Sequence, residues 1–446
     1  MSEPRADHRD VFRAPYGTRD VLAPESDRWQ ELIAKFADRA RRFGYGLVLT
    51  PIFEHAEVFH RVGESTDVVS KEMYEFEDRG GRRLALRPEG TASVVRAFVQ
   101  NHPPVPWKCW YLAPNFRAER PQKGRYRQHY QVGAEVLGVD DPDVDVEVIA
   151  LVWGFLRDLG LSQTRLLLNS MGDADSRARH RDVLLEYLRG HAELLGDEIA
   201  RAETNPLRVL DSKRADWQPM LDAAPQLGDH LSDDTAEHFA RVQAGLHALD
   251  IPFELSPRLV RGFDYYTRTT FELQSDTIDA AQNALGGGGR YDRLAEEMGG
   301  PPTPSIGFAA GIERILLACD AESALPAPGA RVEAFVIDLM PETTDASALL
   351  NELRERGLSA DRAYGGRTGK KQWSAADKSG AVFGVMLAPR EHAAGTVAVK
   401  DLRSGEQVDV KRTDVADWLI ERSGAGARSS GEPVGQPETS RGSTRQ

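Results

Sequence analysis

Residues 116–138 read FRAERPQKGRYRQHYQVGAEVLG. Apolar stretches at 109–116 and 130–137 flank a basic loop, and the pattern predicts two antiparallel strands joined by that loop. Gln131, Gly133 and Glu135 alternate at the two-residue period of a strand, so Gln131 and Glu135 project from one face. A strand that sends polar groups to one face has water or a ligand pocket in front of it. The loop carries Arg117, Arg120, Gln122 and Arg125. Guanidinium forks on a two-stranded frame suit a planar carboxylate or a phosphate; a solvated basic hairpin is the plain alternative.

The flanking sequence extends this antiparallel unit. A strand is expected at 83–86, a helix at 145–160 and a further strand at 164–168. Upstream, Trp29, Leu32, Ile33, Phe36 and Ala40 recur at spacings of three and four, predicting an amphipathic helix over 24–43 that stops at Gly44. A short strand, 47–49, runs into Pro51, which belongs at a strand end or edge because it cannot donate to a ladder. Antiparallel strands with helices around them predict an α+β fold.

Farther out, residues 172–250 are helical and charged, as expected of an insertion. Strand signals return at 269–273, and a helix follows from 311 to 318. A Pro/Ala linker at 324–330 leads to strand 334–339, helix 344–357, strands 381–386 and 396–401 and helix 413–421, a small α/β domain. The expected division is a tail at 1–12, a catalytic domain at 13–325, a second domain at 330–422 and a Ser/Gly/Arg/Pro-rich tail at 424–446, read as disordered.

Four more segments carry polar groups in suggestive places. LRPEGTASVVRAF (86–98) sets Glu89 and Thr91 in a turn before a helix, where they cap it or receive an ammonium group. LVRGFDYYTRTTFEL (259–273) packs Arg261, Asp264, Tyr265 and Tyr266 just ahead of a strand. LGGGGRYDRL (285–294), with Tyr291, reads alone as a turn, because it lacks P-loop and dinucleotide-fold spacing. PSIGFAAGIERIL (304–316) is a strand-to-helix junction with Arg314 in the first helical turn, where anions are favoured.

Composition narrows the class. The 446 residues are 41% hydrophobic and 28% charged, ordinary for a soluble globular protein. At roughly 150 residues per domain, about three units are expected. The net charge of −13 argues against a general DNA-coating surface but leaves room for local basic patches. Cys109 and Cys319 have no metal-ligand spacing, so no metal site is expected and a reducing compartment is. No membrane-spanning run or signal core is present, which leaves the cytoplasm as the default. No GxSxG, HExxH or CxxC occurs, and GRTGKK at 366–371 has Tyr364 where a P-loop needs its first glycine.

In this order the segments resemble the class II aminoacyl-tRNA synthetases, and within them the histidine enzymes. Pro51, the Arg117 strand–loop–strand and GFAAGIER match the three class motifs. VRGFDYYTRTTFE and GGGGRYD match the histidine-specific ones, and NPLRVLDSK (205–213) is typical of the family's insertion. The resemblance covers about 13–422. It implies activation of L-histidine with ATP and Mg²⁺, then transfer to tRNA(His). Arg117 would hold the α-phosphate and the histidine carboxylate, Arg261 the α-phosphate under attack, and Arg314 the γ-phosphate end, with Arg125 helping to bind ATP. Glu89, Thr91 and Gln131 would receive the α-ammonium. Glu135 and Tyr266 would grip the imidazole, with Tyr265 and Tyr291 in the same pocket. Arg120 and Gln122 would face the tRNA acceptor end, the C-terminal domain would bind the anticodon, and motif 1 implies a homodimer. Phe263, Arg293 and the His129–Tyr130 pair depart from the usual residues.

Two rivals stand beside this reading. Relatives that regulate the first enzyme of histidine biosynthesis typically lack the anticodon domain and have worn histidine motifs; this chain keeps both. A class II ligase for threonine or glycine would not carry RGFDYY and GGRYD.

Overall fold

The structure, a computed structural model, describes residues 12–63, 66–204, 206–210, 212, 214–259, 265–279, 283–326 and 331–423. Both tails apart from Phe12, most of the linker, part of NPLRVLDSK, and Arg261 with its neighbours 260–264 lie outside the described residues. The chain divides into two compact units, 1–327 and 328–446.

The first unit begins with the helix Glu25–Arg42. Acidic Glu25 and Asp27 in its first turn and Arg39, Arg41 and Arg42 in its last complement the helix dipole. Gly44 follows in the left-handed region, φ +81°, which stops the helix. Trp29, Leu32, Phe36 and Ala40 form its buried stripe. Each large side chain there contributes about 1.5–3 kcal/mol by leaving water.

Its strands in chain order are β1 (Gly46–Leu47), β2 (Phe53–His55), β3 (Tyr74–Glu77), β4 (Arg83–Leu86), β5 (Trp107–Phe116), β6 (Gln128–Leu137), β7 (Thr164–Ser170), β8 (Glu254–Leu255), β9 (Thr267–Ser275), β10 (Ala284–Arg290) and β11 (Ser305–Gly311). Strands β2, β4 and β3 make a small antiparallel sheet. The others form one eight-stranded sheet, β1-β5-β6-β11-β10-β9-β7-β8, antiparallel except where β1 joins β5 and β8 joins β7.

Strand β6 sorts the two faces of this sheet. Val132, Ala134 and Val136 enter a core with Phe36, Ile149 and Phe155. Gln131, Gly133 and Glu135 point the other way, in register with Ala113, Tyr111 and Cys109 of β5. That second face packs with Phe59, Val94 and Phe98 and holds the cavity described below.

The expected turn at 285–290 is instead the strand β10, bonded to β9 and β11. Glycine is a poor strand former, but here the neighbours require it. A Cβ on Gly288 would stand 1.9 Å from the Gly307 carbonyl oxygen. The helix expected after the turn at Glu89 is Thr91–Asn101, and Thr91 is its first residue. The helices between Ala174–Arg189 and Asp233–Ala248 form the insertion, with a small core of Leu184, Leu188, Trp217 and Met220.

The second unit has the sheet order β13-β12-β14-β15-β16: β12 (Ala334–Asp338), β13 (Ala360–Arg362), β14 (Phe383–Leu387), β15 (Thr396–Asp401) and β16 (Gln407–Lys411). The sequence pattern missed β13 and β16, which are short or mostly exposed, and the helix Gly369–Ser379.

Candidate active site

A cavity of about 390 Å³ opens on the second face of the large sheet, over β6, β10 and β11. Its side chains fall into two groups of opposite chemistry.

The first group is built on Glu135, which has no solvent exposure. Its Oε1 accepts hydrogen bonds from the Thr91 hydroxyl at 2.8 Å and the Tyr111 hydroxyl at 3.1 Å, and its Oε2 from the Tyr291 hydroxyl at 2.6 Å. Gly307 lies opposite on β11. A Cβ there would come within 1.5 Å of Oε2, so only glycine leaves room for this carboxyl. Burial pushes Glu135 up to about 8, against the three hydroxyls, and the charge of Glu89 pushes the same way as burial. Glu89 accepts from the backbone N–H groups of Thr91 at 2.6 Å and Ala92 at 2.7 Å. It therefore bonds to the first N–H groups of the helix and lines the cavity at once. Burial raises its pKa too, with the two backbone bonds opposing.

Tyr265, Tyr266 and Tyr291 form an aromatic wall. Tyr265 lies 4.7 Å from Tyr266 and 5.8 Å from Tyr291 between ring centroids. Gln131 also lines the cavity, and its side-chain oxygen accepts from Asn115 Nδ2 at 2.7 Å.

The second group is cationic. Arg117 follows β5, and its Nε donates to the Pro88 carbonyl at 3.0 Å. Arg125 pairs with Glu119 at 3.2 Å. Arg314, in the first turn of the helix Ile312–Ala321, donates to the Ala284 carbonyl at 3.0 Å and the Gly124 carbonyl at 3.4 Å. Burial lowers the pKa of Arg117 against the charges of Glu119, Glu72 and Glu89. Burial also lowers that of Arg314, and Arg125 and Arg117 lower it further. His129 lines the same space. Burial, then Arg117 and Arg314, push its imidazole down to about 3, so it is neutral. Three guanidinium groups gathered in a half-enclosed cavity make a site for a multiply charged anion.

The structure thus brings Glu89, Thr91, Arg117, Arg125, Gln131, Tyr265, Tyr266, Tyr291 and Arg314 to one cavity, with Glu135 beneath it. Arg120 and Gln122 are exposed on the loop, which Gln122 and Arg125 close by paired backbone bonds. Sequence reasoning missed Tyr111, Glu119, Glu272 and Glu313. Tyr111 was findable, because it pairs with Gly133 on the face already assigned to the pocket. Among the described residues no three His, Cys, Asp or Glu side chains stand together as a metal site, and no helix is long and apolar enough to cross a membrane.

Comparison with known proteins places this geometry in a lineage. The histidyl-tRNA synthetase family profile matches residues 17–315, and the profile of an anticodon binding domain matches 333–422. The chain is 46% identical over 420 residues to the histidine–tRNA ligase of Geobacillus thermodenitrificans, covering 92% of this chain and 99% of the relative. It is 46% identical over 411 residues to that of Rubrobacter xylanophilus, covering 89% and 96%. The crystal structure of apo S. aureus histidyl-tRNA synthetase superposes with a TM-score of 0.77 at 33% identity, over 92% of this chain and 99% of that one. A cavity with a carboxylate floor and an arginine cluster, on an antiparallel sheet matched along its length, leads to one conclusion: the chain belongs to the histidyl-tRNA synthetase family.

Proposed function

We propose that this chain activates L-histidine with ATP and transfers the histidyl group to tRNA(His). The observation that carries the reading is the pairing in one cavity of a buried carboxyl ringed by hydroxyls with a cluster of arginines. The first suits an imidazole, the second a triphosphate.

In the first step a carboxylate oxygen of histidine attacks the α-phosphorus of ATP. A P–O bond forms, the bond to the β-phosphate oxygen breaks, and diphosphate leaves. No general base is needed, because the attacking carboxylate is ionised at neutral pH. Arg117 holds the α-phosphate and that carboxylate, Arg261 neutralises the α-phosphate, and Arg125 and Arg314 take the outer phosphates. Preorganised cations of this kind stabilise charge as it builds. Mg²⁺ arrives with ATP as its phosphate complex. Glu89, Thr91 and Gln131 receive the α-ammonium, and Glu135 and Tyr266 the ring, against Tyr265 and Tyr291. A site that hydrogen-bonds both ring nitrogens rejects analogues that leave its polar groups unpaired. In the second step a ribose hydroxyl at the tRNA 3′ end attacks the acyl carbon and AMP leaves. Arg120 and Gln122, exposed on the loop, face the acceptor end.

The second unit would read the anticodon. Tyr364 is exposed, with the Arg362 guanidinium over its ring at 5.4 Å, which suits base stacking beside phosphate contacts. Trp373 packs over Gly384. Homodimerisation in the cytoplasm completes the proposal. Leu47, Leu49, Ile52 and Phe53 around motif 1 are exposed, as is Phe76 beside Phe53, and exposed apolar side chains of this kind suit a second copy.

Diphosphate exchange into ATP with a panel of amino acids tests the reading. Histidine alone should support exchange; exchange with another amino acid, or with none, overturns it.

A further inference from the structure

The aromatic wall of the cavity is held from outside the catalytic sheet. Arg177, on the insertion helix Ala174–Arg189, donates from Nη1 to the backbone carbonyl of Tyr266 at 3.1 Å. Arg268, two residues beyond, has φ +45°, a conformation that non-glycine residues rarely adopt. It donates to Asp140 at 2.8 Å and to Asp234 at 3.0 Å. Asp234 stands in the first turn of the insertion's last helix, Asp233–Ala248.

Arg290 immediately precedes Tyr291 and is fully buried. It donates to Asp145 at 2.8 Å and to the carbonyls of Asp141 at 2.8 Å and Val139 at 3.2 Å. The other Asp145 oxygen meets His238 Nε2 at 2.8 Å, and His238 is on that same last helix. A fully buried ion pair adds little stability over a well-packed apolar pair, so its value here lies in fixing geometry.

We propose that Arg177, Arg268 and Arg290 are positioning residues for ring recognition. They clamp the segments bearing Tyr266 and Tyr291 to the two insertion helices, which makes the insertion part of the histidine pocket. On the nucleotide side Arg117 and Arg314 bond instead to carbonyls of the catalytic sheet and its loops. This inference rests on the proposed histidine activation.

The test is histidine-dependent diphosphate exchange by the full-length protein, with KM measured separately for histidine and ATP, beside thermal unfolding. Arg177 is half-buried, so R177Q should fold. It should raise the histidine KM about tenfold, the scale expected when a reacting or recognised group is misplaced by a fraction of an ångström, while the ATP KM stays within about twofold. R177K, which keeps a donor for the Tyr266 carbonyl, should recover most of the loss. H238F should shift the histidine KM in the same direction, and H238Q, which can still donate to Asp145, should do so less. Equal changes in both KM values, or a lower unfolding temperature with neither KM changed, would overturn the proposal. Absence of histidine-dependent exchange in the unmutated protein would instead overturn the functional reading beneath it.

Discussion

Replacing Glu135 with glutamine separates the function of this carboxyl from its cost to the fold. Burial moves its pKa from the ordinary 4.5 to about 8. At about 1.36 kcal/mol per pH unit, ionising it inside the folded protein costs roughly 5 kcal/mol more than in the unfolded chain. The folded state therefore keeps a proton that the unfolded chain releases between about pH 4.5 and 8. This group lowers stability as pH rises through that window, and the loss is complete above about 8. Glu135→Gln removes the ionisation. Its amide oxygen still accepts from one or two of Thr91, Tyr111 and Tyr291, although its NH₂ must find a new partner. The variant should be no less stable than the parent at pH 8.5, and its relative advantage should shrink towards pH 5. Histidine binding should suffer, because a charge-assisted hydrogen bond to the ring is worth about 1.5–3 kcal/mol, or roughly 10- to 150-fold in affinity. Thermal unfolding at several pH values and separate titrations with histidine and ATP–Mg²⁺ measure both effects. Glutamine that destabilises the protein at every pH and weakens both ligands alike would refute the reasoning and make Glu135 a structural residue.

Arg117→Ala and Arg261→Ala should each lower histidine-dependent exchange at least about 100-fold, the usual cost of one preorganised charge-stabilising donor; near-normal rates in both would remove the mechanism. Truncation after Leu325 should preserve adenylate formation but weaken tRNA charging and flatten its salt dependence, since each unit has its own apolar core; equal charging by both forms would exclude the second unit as the anticodon reader. Leu49→Asp, at a position 78% exposed in the single chain, should shift sedimentation from dimer towards monomer; an unchanged dimer would place the interface elsewhere.

The sequence was most legible where periodicity is strong. The stripe of Trp29, Leu32, Phe36 and Ala40 gave its helix to within a residue or two, and the alternation around Glu135 gave both a strand and the face that carries the cavity. It was least legible where long-range neighbours override local preference. Residues 286–289 look like a turn because glycine is flexible, yet they are a strand, because β9 and β11 pair on both sides and leave no room for a Cβ at Gly286, Gly288 or Gly289. Tyr111 was missed for a related reason: it meets Glu135 only through strand register. The short motifs were each weak, with a plain reading at hand, as Glu89 illustrates. Its capping bonds are real, and the cap is also what holds its carboxyl at the cavity.

The two groups of side chains share a physical logic. Each is electrostatically uncomfortable: Glu89 and Glu135 have raised pKa values, whereas Arg117 and Arg314 have lowered ones, with burial as the first cause of all four shifts. The acids do not relieve the arginines by direct pairing, because each set is committed elsewhere. Glu89 and Glu135 bond to backbone N–H groups and hydroxyls, and Arg117 and Arg314 to backbone carbonyls. Neutral partners fix the position of these groups, and the charges of Glu119, Glu72 and Glu89 offset that of Arg117 only in part. The unspent attraction is then available to ligands of opposite sign, an ammonium and ring N–H on one side and phosphates on the other. Because these partners are set before substrate arrives, little reorganisation remains for the transition state to supply.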